Sequence, residues 1–163
     1  MNINIGILTV SDKGSRGERE DLSGPAIREM VAKTGAVVKY EIVPDEQPVI
    51  AEKLIEWADG GDVDVIFTNG GTGLSARDVT PDATLSVIDK SVPGIAEAMR
   101  AKSLAITATA MLSRAVAGMR GECLIINLPG SPKAVRECLA VALPAIPHAV
   151  EIIKGTFTEH QIT

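Results

Sequence analysis

The stretch Val63-Asp64-Val65-Ile66-Phe67-Thr68, running straight into Asn69-Gly70-Gly71-Thr72-Gly73, decides the fold. The apolar part is short and rich in β-branched and aromatic side chains, so it reads as a strand with little room for a polar face. Strands of that kind sit in parallel sheets covered by helices. The glycines that follow at once form a turn at the strand's carboxyl end. In α/β sheets that is the end at which ligands bind.

Working outward, Ile3, Ile5 and Ile7 alternate with smaller or polar residues and lead into Leu8-Thr9-Val10, a first strand. Residues 11–21 are polar, carry Gly14 and Gly17, and read as a solvated loop long enough for a lid. Ser23-Gly24-Pro25 opens a helix with Ala26, Ile27, Met30 and Val31 on its apolar face. Val37, Val38 and residues 40–43 form a second strand. Pro44-Asp45-Glu46-Gln47 then turns into a helix carrying Val49, Ile50, Leu54 and Trp57, ended by Gly60-Gly61.

Beyond the glycine loop, Thr80 is expected as an N-cap and Pro81 as the first helical residue. Another helix starts at Pro93-Gly94 and runs through Met99. Strands are expected over 114–117 and 123–127, with 118–121 as the turn between them. Pro129-Gly130-Ser131-Pro132 opens a helix through Val135 and Leu139, and a last helix covers 147–153. The alternation implies one α/β domain over residues 1–155 with a mostly parallel sheet, followed by a frayed tail at 156–163.

The chain has 163 residues, a formal net charge of −5 and four aromatic side chains, Tyr40, Trp57, Phe67 and Phe157. That combination excludes a broad phosphate-backbone footprint and a base-stacking platform, so no nucleic acid is expected as partner. Cys123 and Cys138 lie in apolar settings and read as buried thiols, with only His148 and His160 to help build a metal site. No signal-like start and no apolar run of membrane length is present. The expected location is the cytoplasm, with no membrane.

Three loops at strand ends hold the chain's most unusual residues. Gly70, Gly71 and Gly73, with Thr68 and Thr72, suit an anion, because glycine lets backbone N–H groups approach phosphate. No lysine-bearing phosphate loop or dinucleotide fingerprint is present, so a structural turn remains an alternative. In Arg77-Asp78-Val79-Thr80-Pro81-Asp82, Asp82 falls where a carboxylate favours a helix start, whereas Asp78 has no such structural duty. Asp45 either caps the helix after it or serves a site. Asn127-Leu128-Pro129-Gly130-Ser131-Pro132-Lys133 is an anion site or an ordinary strand-to-helix connection. Ser113-Arg114 offers a hydroxyl and a guanidinium, and Glu97 a helix-borne charge.

In order along the chain, Thr9-Val10-Ser11-Asp12, Pro44-Asp45-Glu46-Gln47, residues 68–73, residues 77–84, Pro93-Gly94-Ile95-Ala96-Glu97-Ala98-Met99-Arg100, Leu112-Ser113-Arg114 and residues 127–133 closely resemble the signature of the MogA/MoaB family of molybdenum cofactor biosynthesis. The resemblance covers residues 3 to about 154. It implies a three-layer α/β/α fold, a homotrimer or a hexamer, and a molybdopterin adenylyltransferase. Such an enzyme joins the terminal phosphate of molybdopterin to the AMP part of Mg-ATP and releases pyrophosphate. A molybdate-insertion enzyme then takes the product.

By the same resemblance Asp45 and Asp78 are the catalytic, Mg²⁺-binding aspartates. Gly70, Gly71, Thr72 and Gly73 would cradle phosphate. Glu97, Ser113 and Arg114 would face the substrate, and Pro129, Gly130 and Ser131 would line the nucleotide-side pocket. Thr68, Ser75, Asp82, Asn127 and Lys133 complete the binding candidates. In length the chain resembles the shorter MoaB branch, yet it keeps Asp78-Val79-Thr80-Pro81-Asp82, which implies a competent enzyme. The alternative is a non-catalytic pterin-binding or scaffold module of the same fold.

Overall fold

The computed structural model describes residues 2–157, so most of the expected tail lies outside the described residues. A six-stranded sheet is built from β1 (Ile3–Val10), β2 (Gly35–Val43), β3 (Val65–Asn69), β4 (Lys90–Ser91), β5 (Ala117–Arg120) and β6 (Cys123–Leu128). The order is β2-β1-β3-β6-β5-β4. The first four strands in that order run parallel, and the β5–β6 and β4–β5 pairs are antiparallel. The helices are α1 (Asp12–Ser15), α2 (Ser23–Val31), α3 (Gln47–Asp59), α4 (Thr80–Val87), α5 (Pro93–Leu104), α6 (Pro132–Ala142) and α7 (Ile146–Ile153).

Alternation along the central strands sorts their side chains between two layers of helices. Ile5, Ile7, Val65, Phe67, Leu124 and Ile126 pack with Ile27, Met99, Val135, Leu139 and Val150, which come from α2, α5, α6 and α7. Leu8, Ile66 and Ile125 pack on the opposite face with Ile50, Leu54 and Trp57 of α3 and Ala83 and Val87 of α4. Burial on both faces explains why Val65-Ile66-Phe67 and Cys123-Leu124-Ile125-Ile126 read as continuous apolar runs. The result is the expected α/β/α arrangement.

Three local expectations change. The strand placed at 114–117 lies at 117–120, and the turn is Gly121-Glu122, with Gly121 at φ +55°. Gly118 is inside the strand because a Cβ there would stand 2.7 Å from the Lys90 carbonyl oxygen and 2.6 Å from Ile88. Its glycine serves the close approach of an edge strand rather than a turn. Thr80 is the first residue of α4, not its cap. Val79 occupies the cap position without a side-chain bond. The polar stretch 11–21 contains the helical turn α1, capped by the Ser11 hydroxyl, which accepts the Gly14 N–H at 3.0 Å.

Phe67 is fully buried at the centre of the sheet. Phe67→Ala is expected to lower stability by about 3–5 kcal/mol, read from urea denaturation with an unchanged m-value.

Candidate active site

From β1 the chain passes to β2 on one side and then to β3 on the other. Successive connections therefore diverge between β1 and β3, and their carboxyl ends leave a crevice. A cleft of about 670 Å³ opens there, lined among others by Thr9, Ser11, Asp21, Asp45, Gly70, Gly71, Gly130 and Ser131. A second recess of about 290 Å³ lies beside it, lined among others by Thr72, Gly73, Met99, Arg100, Ser113 and Pro129. The glycine loop divides the two. Gly70 and Gly71 face the cleft, and Thr72 and Gly73 face the recess.

Gly70 and Gly71 adopt φ of +91° and +69°. A Cβ on Gly70 would lie 2.4 Å from the Val10 carbonyl oxygen, and one on Gly71 2.3 Å from Thr80 Oγ1. Both positions thus require glycine for conformation and for space. Across the cleft, Gly130 packs against Gly70, and the Gly70 N–H reaches the Leu128 carbonyl at 3.2 Å. Ser131 caps α6 by accepting the Ala134 N–H, and the Ser23 hydroxyl donates to the Gly130 carbonyl at 2.6 Å.

Asp45 does not cap α3; that position belongs to Glu46. Its Oδ2 instead accepts the Asp12 N–H at 2.8 Å, while Asp12 Oδ1 accepts the Asp45 N–H at 3.0 Å. Arg77 closes this pair by donating from Nε and Nη2 to the two Asp12 oxygens at 3.0 and 2.8 Å. Burial pushes the Asp45 carboxyl above its ordinary value. The Asp12 N–H opposes that, and the charges of Asp12 and Asp78 add to it. Arg77 holds Asp12 below its ordinary value.

Asp78 has the structural duty that its sequence position does not reveal. Its Oδ2 accepts the Ser75 N–H at 3.0 Å and would lie 2.9 Å from a Cβ on Gly73, so it shapes the loop. Arg114 is a strut of the same loop. Nε donates to the Gly73 carbonyl, Nη2 to the Asp78 carbonyl, and the fork grips Asp82 at 3.2 and 3.0 Å. Thr68 and Asn127 are fully buried. Asn127 donates to the Thr68 and Thr84 hydroxyls and accepts the Val116 N–H. Their side chains support the site from below. Ser113 lines the smaller recess. Ser75, Glu97 and Lys133 are exposed and line neither cavity.

Residues 6–148 match the family described as "Probable molybdopterin binding domain". The chain belongs to that family. It is 47% identical over 162 residues to the molybdopterin adenylyltransferase of Helicobacter pylori strain J99, covering 98% of this chain and 92% of that protein. To the molybdopterin adenylyltransferase of Escherichia coli K12 it is 42% identical over 138 residues, 83% of this chain and 71% of that protein. Among solved structures, the molybdopterin biosynthesis enzyme MoaB of Thermus thermophilus superposes with a TM-score of 0.89 at 55% identity. That match covers 94% of this chain and 97% of MoaB.

For a member of the molybdopterin-binding-domain family, the polar stretch 11–21 contributes more than solvation. Besides Asp12, Asp21 accepts the Thr9 hydroxyl at 2.7 Å, the Tyr40 hydroxyl, and the Ser23 and Gly24 N–H groups at 3.1 and 3.0 Å. Asn69 joins by donating to Thr9 Oγ1 at 2.9 Å. Ser23 and Gly24 are neighbours of Asp21 in sequence, whereas Thr9, Tyr40 and Asn69 reach this cluster from distant strands.

The folded protein holds the Asp45 proton more tightly than the unfolded chain, whose carboxyl titrates near 3.8. Ionising Asp45 therefore costs stability as pH rises from 3.8 through the raised folded value. In metal-free buffer Asp45→Asn is expected to melt above wild type at pH 7, and the difference should close below pH 3.8. Burial also pushes the Cys123 thiol up to about 12. Native protein should therefore leave Cys123 unmodified by a thiol reagent at about pH 8, and denatured protein should react fully.

Proposed function

We propose that this chain is a molybdopterin adenylyltransferase of molybdenum cofactor biosynthesis that uses Mg-ATP. The observation that carries the reading is the division of two recesses by one glycine loop, with Asp45 and Asp78 beside it. Adenylylation needs two bulky substrates whose phosphates meet at one place. The cleft with Gly130 and Ser131 takes the nucleotide. The smaller recess with Ser113 takes the pterin, and the phosphates meet over residues 70–73.

A phosphate oxygen of molybdopterin attacks the α-phosphorus of ATP. The bond from that phosphorus to the bridging oxygen of the leaving pyrophosphate breaks. The attacking phosphate is already anionic, so no strong base is needed, and positioning supplies most of the rate. Gly71, Thr72 and Gly73 present backbone to the phosphates. Arg114 and Asp78 hold that backbone in place, and Asn127 holds the strand ends beneath it.

Among the described residues no group of three or more His, Cys, Asp or Glu side chains is placed to hold a metal ion. Magnesium with phosphate substrates asks for less: one or two carboxylates, completed by water and substrate oxygens. Asp45 and Asp78 fit that set, and a cation beside Asp45 would offset the charges of Asp12 and Asp78 that disfavour its ionised form. Bound there, the ion would offset phosphate repulsion and polarise the α-phosphoryl group.

The reading extends to a trimer or hexamer in the cytoplasm that hands its product to a molybdate-insertion enzyme. Leu104, Ile106, Met111 and Leu112 are exposed and offer apolar surface for assembly. No helix among the described residues is long and apolar enough to cross a membrane.

Wild-type protein with molybdopterin, ATP and Mg²⁺ should yield adenylyl-molybdopterin and pyrophosphate. Binding without turnover would instead favour a scaffold module. Asp78→Asn is expected to lose at least about a hundredfold in turnover and keep molybdopterin affinity; full activity in that variant removes Asp78 from the mechanism. A stable monomer by light scattering at micromolar concentration would refute the trimer.

A further inference from the structure

Among the described residues one buried side-chain oxygen has no hydrogen-bond partner, Oγ1 of Thr80. Thr80 is fully buried. Its backbone is fully engaged: the N–H donates to the Gly71 carbonyl at 3.1 Å, and the carbonyl accepts the Thr84 hydroxyl at 2.9 Å. The side chain is therefore held against Gly71 with its hydroxyl unsatisfied, a state that costs stability and calls for an explanation.

The surroundings supply one. The position a Cβ would take on Gly71 lies 2.3 Å from Thr80 Oγ1 and 3.2 Å from Asp45 Oδ1. Both oxygens thus flank the same bare face of one glycine, at the floor of the cleft. Asp45 is anchored through Oδ2, which accepts the Asp12 N–H. The hydroxyl is a donor, and the carboxylate is an acceptor.

We propose that Thr80 is a positioning residue for the reaction: its hydroxyl is reserved for Asp45 Oδ1, reached past the bare Cα of Gly71 directly or through one water when substrates load. This rests on the adenylyltransferase reading. It assigns a second reason for glycine at 71 besides its φ, because any side chain would block the approach. It also makes the unpaired hydroxyl of the free protein a stability cost tied to the reaction.

The test compares Thr80→Val, which keeps the shape and removes the hydroxyl, with Thr80→Ser, which keeps the hydroxyl. Thr80→Val is expected to melt above wild type, because an unpaired buried polar group is gone. Its kcat should fall about tenfold, with KM for ATP within about twofold of wild type. Thr80→Ser should retain wild-type kcat. A stabilised Thr80→Val with full kcat would show the hydroxyl idle and overturn the proposal. So would equal loss of kcat in both variants, which would point to the methyl group. A Thr80→Val that melts below wild type would show the hydroxyl already bonded in the free protein and would overturn the proposal as well. If wild type does not adenylylate molybdopterin, the functional reading fails, and crystal structures with ATP and Mg²⁺ decide this proposal separately. Asp45 Oδ1 within hydrogen-bond reach of Thr80 Oγ1, or of a water bound to it, in wild type and displaced in Thr80→Val supports it; an identical Asp45 in both overturns it.

Discussion

At residue 70 a side chain would stand 2.4 Å from the carbonyl oxygen of Val10, and the backbone there turns through φ +91°. This contact lets the chain leaving β3 fold back across the end of β1. Gly71 continues the turn and presses on Thr80, which sets the start of α4. Gly130 then packs on Gly70 from the far side, bringing the start of α6 to the same place. The cleft, its neighbouring recess and the divide between them all depend on three residues without side chains, Gly70, Gly71 and Gly130.

The charges near that divide are arranged in an unexpected way. The arginines closest to the loop are occupied with protein. Arg114 grips Asp82 and two carbonyls, Arg77 grips Asp12, and Arg100 holds the carbonyls of Ser113 and Ala115. Guanidinium forks suit this work because their donors lie in one plane with fixed directions. Arg19, which lines the cleft, and the backbone N–H groups of the glycine loop are what the site offers an anion. A chain of net charge −5 can handle phosphates on those terms, because the local site rather than the global sign decides the potential.

Much of this was legible from residue order alone. The alternation of Ile3, Ile5 and Ile7 identified the first strand, and the apolar runs within 63–68 and 123–127 identified two more, because two-sided burial leaves them little polar face. The ends of β2, β3 and β6, singled out from residue order, do come together around one cleft. The edge was harder. The two-residue strand β4 and the shift of β5 depend on Gly118 approaching Lys90 and Ile88, a contact with no local trace. Asp21 reads as one more charge in a polar stretch. Two of its four donors, the Ser23 and Gly24 N–H groups, follow local Asx spacing, but the Thr9 and Tyr40 hydroxyls arrive from β1 and β2 and no spacing rule collects those.

The sequence by itself determined the α/β class, the parallel core and the family, since periodicity and short motifs are local properties that survive without coordinates. It also marked Asp45, Asp78 and the glycine loop as the residues to watch. Only the tertiary structure decided what each of them touches. Arg114 became a strut, Asp78 a loop-shaping acceptor, Asn127 a buried tie, and Thr80 a hydroxyl without a partner. The physical reason is that a hydrogen bond or a steric limit joins atoms a few ångströms apart. The chain brings those atoms together across long stretches of sequence only by folding.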